Sequence, residues 1–415
     1  MRLLVFSQYF WPETFGINHL VRALVRAGLQ VTVLTGKPNY PDGKVFAGYT
    51  VLGIRREDHA GAEVVRVPLI PRGSNSSFRL AMNYLSFILS GYLLAPIVLR
   101  GKPFDAVFVY APSPLLQALP AIFLAWLKRV PLVVWVQDLW PESLSATGFV
   151  RSRYALSAVE AAVRYIYRHS DLILVQSEAF RGPVSRMVKD AGKIHYFPNS
   201  VDTSVTSSRP GESVSDELVL AIRSCFSVVF TGNVGTAQSV EMIVEVADKL
   251  KRHSDVRFFV VGSGSREDWL AAEIRHRKLD NIVLTGRLPA AAMPTIFSAA
   301  STLLVTLRDD QIFAYTIPSK VQAYLAAGRP IIASMNGEGA RVVVAAGAGI
   351  ACAAGNAEAM AEAVLAMRAL TPQERAQLGE NGRSYFAEHY EPQKLMSQLI
   401  EHLELLRVPH VERAK

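Results

Sequence analysis

The sequence predicts an α/β protein made of two Rossmann-like domains, each with a parallel sheet. The chain has 415 residues, which is too long for one ordinary domain and suits two of about 200 residues each. In both halves, short apolar runs alternate with segments of helical spacing, a pattern typical of a parallel sheet covered on both faces. Between the halves, residues 203–217 are rich in Ser, Pro and Gly, so we expect an exposed stretch there.

In the first half, the predicted strands are apolar runs separated by helical patterns. The first strand, 3–7, is followed by a helix over 17–27 that ends at Gly28, a residue that favours helix ends. The further strands are predicted over 31–35, 64–67, 106–110, 132–136 and 172–175, and the further helices over 115–128 and 154–169.

The second half repeats this alternation. Its strands are predicted over 227–230, 257–261, 282–285, 302–305, 330–334 and 349–351, and its helices over 240–251, 269–276, 293–299, 321–327 and 357–368. We therefore expect an N-terminal domain over 1–200, a C-terminal domain over 201–390, and a tail over 391–415 whose helix packs back toward the first domain. Because ligands bind beyond the carboxyl ends of parallel strands, we expect the two sheets to face an interdomain cleft.

The charge of the chain limits the kinds of partner it can attract, and its cysteines indicate the redox compartment. The net charge is +8, and residues 1–200 carry 22 Lys and Arg against 12 Asp and Glu. Such a half attracts nucleic acid, anionic membrane or phosphorylated ligands, although a solvated basic surface is the plainer interpretation. Cys225 and Cys352 lie in apolar runs without metal spacing, so we expect buried thiols in a reducing compartment. Residues 1–6 lack the features of a signal peptide and indicate a strand.

The segment 84–99 (YLSFILSGYLLAPIVL) is strongly apolar. It has 16 residues with Pro96 inside, fewer than the roughly 20 that a membrane-spanning helix needs. We therefore predict a buried or interfacial helix, with a membrane-dipping role as the alternative. The cations that would meet anionic headgroups are Arg55, Arg56, Arg72, Arg79, Arg100 and Lys102.

Two glycine-containing turns follow predicted strands of the second half, at 230–236 (FTGNVGT) and 260–265 (VVGSGS). Glycines let a backbone approach a diphosphate, and a helix N-terminus supplies amide donors. A tight strand–helix turn explains either segment equally well. Two such turns at successive strand ends fit a nucleotide site better than one does.

The segment 316–330 (TIPSKVQAYLAAGRP) is the most informative. Pro318 and Ser319 begin a helix and Gly328 ends it. Lys320 then lies in the first helical turn, where a cation opposes the helix dipole. A bound anion would relieve that conflict, so we predict that Lys320 pairs with a diphosphate. The alternative is a solvated surface lysine.

Two segments of the first half carry polar groups at strand ends. In 135–143 (WVQDLWPES), Asp138 is predicted to orient an acceptor hydroxyl or to act as a base, unless it caps the following turn. The segment 8–19 (QYFWPETFGINH) suits carbohydrate or isoprenoid contact, although Phe10 and Trp11 fit a core equally well. We expect His19 to be a packed helix histidine.

Several chemistries are excluded by missing motifs. The sequence contains no G-x-x-x-x-G-K-[ST] phosphate loop, H-E-x-x-H zinc motif or G-x-S-x-G nucleophile elbow. The dinucleotide fingerprint is missing after the first strand, which argues against a dehydrogenase. Asp309 and Asp310 are adjacent rather than spaced as in a D-x-D metal site, and we expect them at the surface.

Together these segments resemble the retaining glycosyltransferases of the GT-B fold, family 4, and the resemblance covers nearly the whole chain. The matching pieces are Gly16, 138–142 (DLWPE), 198–202 (PNSVD), 232–235 (GNVG), 262–264 (GSG), 286–289 (GRLP), 318–320 (PSK) and 328–330 (GRP). Within that family the chain resembles bacterial transferases of the L-fucosamine transferase type, which act in O-antigen and capsule assembly.

The resemblance implies a UDP-sugar donor and an undecaprenyl-diphosphate-linked saccharide acceptor. The catalytic residues that we predict for this reaction are Asp138, from its place at a strand end, and Lys320. The implied contacts with the donor diphosphate are Gly232, Asn233, Gly235, Ser319, Lys320 and Arg308. Those with the nucleotide and sugar are Gly262, Gly264, Arg287, Leu288, Tyr315, Thr316 and Glu338. The acceptor side is implied at Glu13, Gly16 and Asn18.

The sequence departs from the family pattern at two places. Many relatives carry two glutamates eight residues apart, and these positions fall on Tyr315 and Ala323 here, so ribose and sugar contacts must come from elsewhere, for example from Glu338. Many relatives also have Arg and Lys where Asn233 and Gln238 stand. Lys320 and Arg308 are then the main cationic partners.

The implied reaction is retaining transfer of an N-acetylated 6-deoxy sugar, by attack on the same face assisted by the leaving phosphate, without a metal or other cofactor. The expected enzyme is cytoplasmic, lies at the inner face of the membrane and binds no nucleic acid. One alternative is a UDP-sugar 2-epimerase of similar fold, which needs acid–base residues in the cleft. The other is a non-catalytic membrane or nucleic-acid adaptor, which would leave the glycine turns and the 318–320 segment unexplained.

Overall fold

The computed structural model describes residues 1–73, 76–146, 152–201 and 214–407. The chain divides into two compact units. Unit 1 contains Met1–Pro198 and the residues from Gln393 onward, and unit 2 contains Asn199–Pro392. Most of the stretch 203–217 lies outside the described residues, as does Asp202 of the 198–202 segment, and Asp216 and Glu217 at the end of that stretch begin a helix.

Unit 1 is built on an eight-stranded sheet. Its strands are β1 (Arg2–Phe6), β2 (Gln30–Thr35), β3 (Arg55–His59), β4 (Ala62–Arg66), β5 (Ala106–Ala111), β6 (Leu132–Val136), β7 (Leu172–Val175) and β8 (Ile194–Tyr196). They lie in the order β3-β4-β2-β1-β5-β6-β7-β8, and all neighbours are parallel except β3 and β4. The central strands β5 and β6 are buried at every residue, as expected for a sheet covered on both faces.

Helices cover this sheet. They are α1 (Gly16–Arg26), α2 (Ser77–Val98), α3 (Ala118–Lys128), α4 (Glu142–Ala146), α5 (Arg153–Arg168) and α6 (Arg181–Ser185). Helix α1 buries Ile17, Val21 and Leu24, which recur at helical spacing on one face. The helix predicted over 115–128 is interrupted, because a 3₁₀ turn precedes α3.

Unit 2 is built on a parallel sheet of six strands: β9 (Phe226–Thr231), β10 (Val256–Val261), β11 (Ile282–Gly286), β12 (Thr302–Thr306), β13 (Ile331–Ser334) and β14 (Gly349–Cys352). Their order is β11-β10-β9-β12-β13-β14, that of a doubly wound nucleotide-binding fold. The strand order reverses between β9 and β12, and ligands of such sheets bind beyond the carboxyl ends at this reversal. The candidate donor site should therefore be sought after β9.

The helices of unit 2 are α7 (Asp216–Arg223), α8 (Glu241–Lys249), α9 (Glu267–His276), α10 (Met293–Ala299), α11 (Gln311–Ala314), α12 (Ser319–Ala327), α13 (Glu338–Ala345), α14 (Ala357–Ala369) and α15 (Pro372–His389). As predicted, α12 begins just after Pro318 and ends at Gly328, which has a left-handed φ of +64°.

The C-terminal helix α16 (Pro392–Arg407) packs on the core of unit 1. Its buried residues Leu395, Leu399 and Leu403 recur every four positions and join a cluster with Leu3 and Val5 of β1. The C-terminal helix therefore completes the core of the unit that contains the N-terminus.

Two sequence predictions about buried groups are wrong. Cys225 and Cys352 are partly exposed, although burial still raises the pKa of both thiols. His19 is exposed on α1 instead of packed. The sequence did not decide whether Phe10 and Trp11 belong to the core. In the structure Phe10 is buried in the core, and the side chain of Trp11 is 37% exposed.

The prediction that the apolar segment is too short to span a membrane is also wrong. Helix α2 begins at Ser77, where the Ser76 side chain accepts from the backbone N–H of Arg79, and it has 22 residues. By length and composition it would suffice to cross a bilayer, and only 28% of its apolar window is buried. Five of its apolar side chains are more than half exposed: Phe78, Leu85, Leu89, Leu93 and Ile97.

Candidate functional site

The two predicted glycine turns lie side by side at the carboxyl edge of the unit 2 sheet. The N–H of Gly232 donates to the carbonyl of Val261 at 2.8 Å, and the N–H of Val234 donates to the carbonyl of Ser263 at 3.0 Å. Gly232 has a φ of +113°, which an L side chain rarely adopts. The backbone after β9 is therefore fixed by the turn after β10.

Close packing between these turns explains the glycines of the second one. A Cβ added to Gly262 would lie 1.8 Å from the carbonyl oxygen of Gly232, and one added to Gly264 would lie 2.4 Å from the carbonyl oxygen of Val234. The turn interpretation thus accounts for both residues without a ligand. Their part in binding the nucleotide stays a prediction.

Replacing Gly262 by alanine should lower the free energy of unfolding by roughly 2–4 kcal/mol, because the new methyl group collides with backbone and the φ is +150°. Chemical denaturation measures the change. Gly355 is the matched control, since its φ of +72° is also left-handed but nothing lies within 4 Å of an added Cβ. If G262A and G355A lose equal stability, the collision is not what requires glycine.

Lys320 lies against the first glycine turn. A Cβ on Gly232 would be 2.9 Å from Lys320 Cε and 3.4 Å from Nζ. The Nζ is buried 3.7 Å from the ring centroid of Phe230 and has no hydrogen-bond partner in the part of the chain that the structure describes. The alternative of a solvated surface lysine is therefore wrong.

Burial dominates the electrostatics of Lys320. It lowers the pKa of the ammonium from 10.5 to about 7. The ring of Phe230 offers the cation some compensation, and an anionic ligand beside it would supply far more. This unpaired cation at the reversal of strand order, next to a glycine that leaves room for it, is a group suited to hold a phosphate.

The other residues predicted to contact the diphosphate differ in their hydrogen-bond partners and in their exposure. The Asn233 amide donates to Gln238 Oε1 at 3.2 Å, and a Cβ on Gly235 would meet these two side chains rather than Lys320. Arg308 donates its backbone N–H to the carbonyl of Ala237, but its exposed guanidinium pairs with Asp310. Ser319 is exposed at the first position of α12.

The predicted nucleotide and sugar contacts are more dispersed within unit 2. Arg287 is exposed and donates to Ser263 Oγ at 3.1 Å, while Leu288 packs against the core. Thr316 donates to the carbonyl of Phe313, and Tyr315 accepts from Gln311 at 3.5 Å. Asp309 is exposed and accepts from Asn336 at 2.8 Å. In the described ranges, no group of three or more metal-ligating side chains is close enough to hold a metal ion.

Glu338 is engaged inside its own helix. It is 7% exposed in the first turn of α13, and both of its carboxylate oxygens accept from the Arg341 guanidinium, at 2.6 and 2.8 Å. Asn336 and Gly337 lead into this helix, and a Cβ on Gly337 would lie 2.0 Å from the carbonyl oxygen of Ala314. Any sugar contact by Glu338 would have to share its carboxylate with Arg341.

In unit 1, Asp138 lies just beyond the carboxyl end of β6. Ser143 Oγ of α4 donates to Asp138 Oδ1, and the backbone N–H of Leu139 also favours the ionised form. Burial outweighs these bonds and raises the pKa of Asp138 to about 6. A carboxyl group that changes charge near neutral pH at a strand end is suited to accept a hydrogen bond from a substrate hydroxyl.

The predicted acceptor-side residues organise the loop after β1. Glu13 is buried and its Oε1 accepts from the backbone N–H groups of Asn39 and Tyr40, both at 2.8 Å, while burial raises the pKa of Glu13 to about 7. Asn18 accepts from the N–H of Trp11 and donates to the carbonyl of Glu13. Gly16 begins α1 near the Tyr110 hydroxyl. Glu13 and Asn18 thus fix loop geometry.

Two site residues were not found from the sequence. Phe230 forms the floor beneath Lys320, and the Tyr324 hydroxyl bonds the backbone N–H and the side chain of Thr231 at 3.1 and 2.9 Å. Tyr324 stands four residues after Lys320 and so shares its helix face. That spacing was a usable signal, whereas Phe230 looks like any core residue of an apolar strand.

Comparison with known proteins gives two adjacent family matches. A glycosyl transferase 4-like domain matches residues 15–200, and a domain of the glycosyl transferases group 1 matches residues 225–369. The putative colanic acid biosynthesis glycosyl transferase WcaI of Escherichia coli (strain K12) is 24% identical over 344 residues, covering 79% of this chain and 82% of the relative. The probable glycosyltransferase WbjE of Pseudomonas aeruginosa is 24% identical over 299 residues, covering 71% and 73%.

Solved structures share the fold. Anabaena HepE in complex with UDP superposes with a TM-score of 0.68 at 14% identity, covering 97% of this chain and 100% of that one. Sucrose-phosphate synthase from Thermosynechococcus elongatus gives 0.71 at 17% identity, covering 98% of both chains. The predicted GT-B fold class is thereby confirmed. With its glycosyl transferase 4-like domain followed by a group 1 domain, the chain is a glycosyltransferase of the GT-B fold.

Proposed function

We propose that this enzyme transfers a sugar from a UDP-sugar, with retained configuration, to a lipid-linked or saccharide acceptor in the assembly of a bacterial surface polysaccharide. The observation that carries the proposal is the buried Lys320 Nζ beside Gly232, which has no hydrogen-bond partner among the described residues. Fixed positive charge at the leaving diphosphate is the main means by which such a site would stabilise the transition state.

The proposed reaction forms one bond and breaks one. An acceptor hydroxyl oxygen bonds to the anomeric carbon while the bond from that carbon to the β-phosphate oxygen breaks, and UDP departs. Lys320 holds the growing negative charge together with those backbone N–H groups of the turn after β9 that do not already donate to Val261 or Ser263. The hydroxyl proton passes to the departing phosphate oxygen on the same face. Asp138 orients the hydroxyl.

We propose an N-acetylated 6-deoxy amino sugar such as N-acetyl-L-fucosamine as the donor sugar and an undecaprenyl-diphosphate-linked saccharide as the acceptor. The family resemblance supports the sugar. A relative named for colanic acid biosynthesis supports a place in surface polysaccharide assembly. UDP complexes among the structural neighbours support the nucleotide.

A thermal-shift screen of UDP-, GDP- and dTDP-sugars tests the donor. We expect UDP-sugars to raise the melting temperature of the wild type, and the stabilising sugar to be transferred to a lipid-linked acceptor with an unchanged anomeric configuration by NMR. Inverted product would exclude the retaining route. Conversion of the UDP-sugar without any acceptor would instead point to an epimerase.

Chelation should leave this activity unchanged. The proposed site neutralises the diphosphate with Lys320 and backbone amides, so that no metal is needed for that task. Turnover measured with and without an excess of EDTA checks this. A parallel set of assays adds Mg²⁺ or Mn²⁺ back to the chelated enzyme. A loss of turnover that either ion restores would contradict metal-independent transfer.

We propose that the enzyme is cytoplasmic and binds the inner membrane surface through the exposed apolar side chains of α2. Trp126 of α3 extends this apolar surface, since α3 packs on α2, and it is more than half exposed. Beyond the end of α2, Arg100 has no carboxylate partner among the described residues and would meet anionic headgroups. Because α2 packs on α3 within unit 1, we expect it to lie in the membrane interface instead of crossing the bilayer.

The double variant L89S/L93S should bind vesicles containing phosphatidylglycerol at least about tenfold more weakly, because two apolar side chains no longer leave water on binding. Co-sedimentation measures the change. The matched control is L220S/V344S, which alters two comparably exposed apolar side chains of unit 2. Equal weakening by both pairs would rule out α2 as the docking surface.

A further inference from the structure

Residues 70–73, which precede α2, are held in place at the carboxyl edge of the unit 1 sheet. Gly73 donates its N–H to the carbonyl of Gly43 at 3.0 Å, and a Cβ on Gly43 would lie 2.2 Å from the carbonyl oxygen of Gly73. Ile70 donates to Ser86 Oγ at 2.9 Å and accepts from the Asn83 amide at 2.6 Å. Residues 70–73 are therefore tied both to α2 and to Gly43.

Two arginines here, Arg72 and Arg79, have no carboxylate partner among the residues that the structure describes. Arg55 pairs with Glu57, and Arg56 and Lys102 both pair with Glu63, but neither Arg72 nor Arg79 has an ion-pair partner within the described ranges. The Arg72 guanidinium lies 4.9 Å from the ring centroid of Tyr40, and its backbone N–H donates to Asn39 Oδ1.

Arg79 belongs to the same patch, because a Cβ on Gly73 would lie 2.6 Å from Arg79 Cδ. Arg72 is half-buried and Arg79 is exposed. Two guanidinium groups without a carboxylate partner in the described ranges, one of them 4.9 Å from the centroid of an aromatic ring, are donors of the kind that bind phosphate oxygens.

The patch borders the loop that carries the predicted acceptor-side residue Glu13. The Arg72 guanidinium lies 4.9 Å from the ring centroid of Tyr40, and Tyr40 donates its backbone N–H to Glu13 Oε1 at 2.8 Å. In the same unit, burial raises the pKa of the Tyr84 hydroxyl, and the charges of Arg72 and Asp138 act on it in opposite directions. A saccharide bound at this loop can therefore direct an anionic group toward Arg72.

We propose that Arg72 and Arg79 bind the phosphate or diphosphate that joins the acceptor saccharide to an apolar chain. The chain would continue over the exposed Ile70 and Phe78 along α2. This inference rests on the proposed lipid-linked acceptor, and in it Arg72 and Arg79 select that acceptor over an uncharged one. The acceptor class is a saccharide whose reducing end carries a phosphoester and an alkyl or isoprenoid chain.

The test compares two soluble acceptors that share one saccharide, one linked to a short alkyl chain through a diphosphate and the other through a neutral glycoside. For R72A we expect the KM of the diphosphate acceptor to rise about 10- to 100-fold, and that of the neutral acceptor to change less than about twofold. R72K, which keeps the charge but not the planar fork, should fall between R72A and the wild type.

The control variant is R26A, an exposed arginine at the end of α1 that also lacks a carboxylate partner in the described part of the chain. It should leave both KM values unchanged. UDP-sugar thermal shifts of R72A should match those of the wild type, which shows that the variant is folded and that donor binding is intact.

Other outcomes are equally decisive. Equal KM increases for both acceptors would overturn the proposal, because the arginine would then not read the phosphate. Unchanged KM values with weaker binding to phosphatidylglycerol vesicles would assign Arg72 to lipid headgroups and overturn it as well. If the wild type neither binds a UDP-sugar nor transfers to any acceptor, the proposed function fails rather than this inference.

Discussion

Replacing Lys320 by methionine is expected to lower turnover by about 10²–10³-fold, the loss typical of removing one fixed donor at a developing negative charge. Methionine fills most of the volume of the lysine chain and can still pack on Phe230. The substitution therefore removes the charge and little else. Because the Nζ has no hydrogen-bond partner in the described structure, no protein group loses a bond.

The same change should raise stability in the absence of ligand. Burial lowers the pKa of Lys320 from 10.5 to about 7, so between these values the unfolded state binds more protons than the folded state. Wild-type stability should therefore rise as pH increases from about 7 toward 10.5, and at or below pH 7 the folded state bears the full penalty of a buried charge. K320M should lose this pH dependence and be more stable at pH 7.

Steady-state kinetics and urea denaturation at pH 7 and pH 9 check both expectations. The matched control is K251M, which removes an exposed lysine of unit 2 that pairs only with Asp248. It should change neither turnover nor the pH dependence of stability. Wild-type turnover in K320M would defeat the assignment of the donor site, and a large loss of stability would show that Lys320 has a structural task.

The sequence predicted the central strands because both faces of those strands are covered. Every predicted strand is present, since a buried parallel strand requires an apolar run. The two strands that the sequence did not predict form the two opposite edges of the unit 1 sheet. Strand β3 is formed by the charged run 55–59 (RREDH), and β8 has only three residues. An edge strand forms hydrogen bonds with a neighbouring strand on one side only and is less covered than a central strand. An apolar run in the sequence therefore does not reveal it.

Helix α15 was missed for a different reason. Its sequence is polar, and it packs through small residues rather than through an apolar stripe. A Cβ on Gly379 would lie 2.2 Å from the carbonyl oxygen of Gly328, and one on Gly382 would lie 3.2 Å from Leu325. Close helix packing through glycines leaves no hydrophobic period for a sequence to show.

The candidate site was predictable where chain geometry alone places a residue. Lys320 followed from its place in a first helical turn, and Gly232 from its place after a strand. Contacts that depend on side-chain direction were not predictable. The pairing of Glu338 with Arg341, and the stacking of Arg72 on Tyr40, require knowledge of rotamers and of loops that are distant in sequence.

Replacing Asp138 by asparagine is expected to lower kcat by about 10²-fold, the loss typical of misplacing a reacting group. Asparagine keeps an oxygen that can accept from Ser143 and from the N–H of Leu139, so the local fold should persist. It can no longer carry the negative charge that orients an acceptor hydroxyl.

The pH dependence distinguishes that task from a structural one. With its pKa raised to about 6, Asp138 becomes protonated as pH falls through 6, so wild-type kcat should drop on the acid side with a midpoint near that value. Stability should move in the opposite sense, because an acid whose pKa is raised on folding destabilises the protein as pH rises from about 4 to 6. D138N should lose the acid limb of kcat and the part of the stability change that Asp138 contributes, while the part from Glu13, whose pKa is also raised, remains.

Kinetics from pH 5 to pH 8 with a saturating donor measure the first effect, and thermal unfolding from pH 4 to pH 8 measures the second. Asp171 provides the matched control, because it accepts the N–H of Leu132 at the opposite end of the same strand, at 2.8 Å. D171N should keep the acid limb of kcat. If D138N also keeps that limb, another group titrates there, and Asp138 serves only to hold Ser143 and the turn after β6 in place.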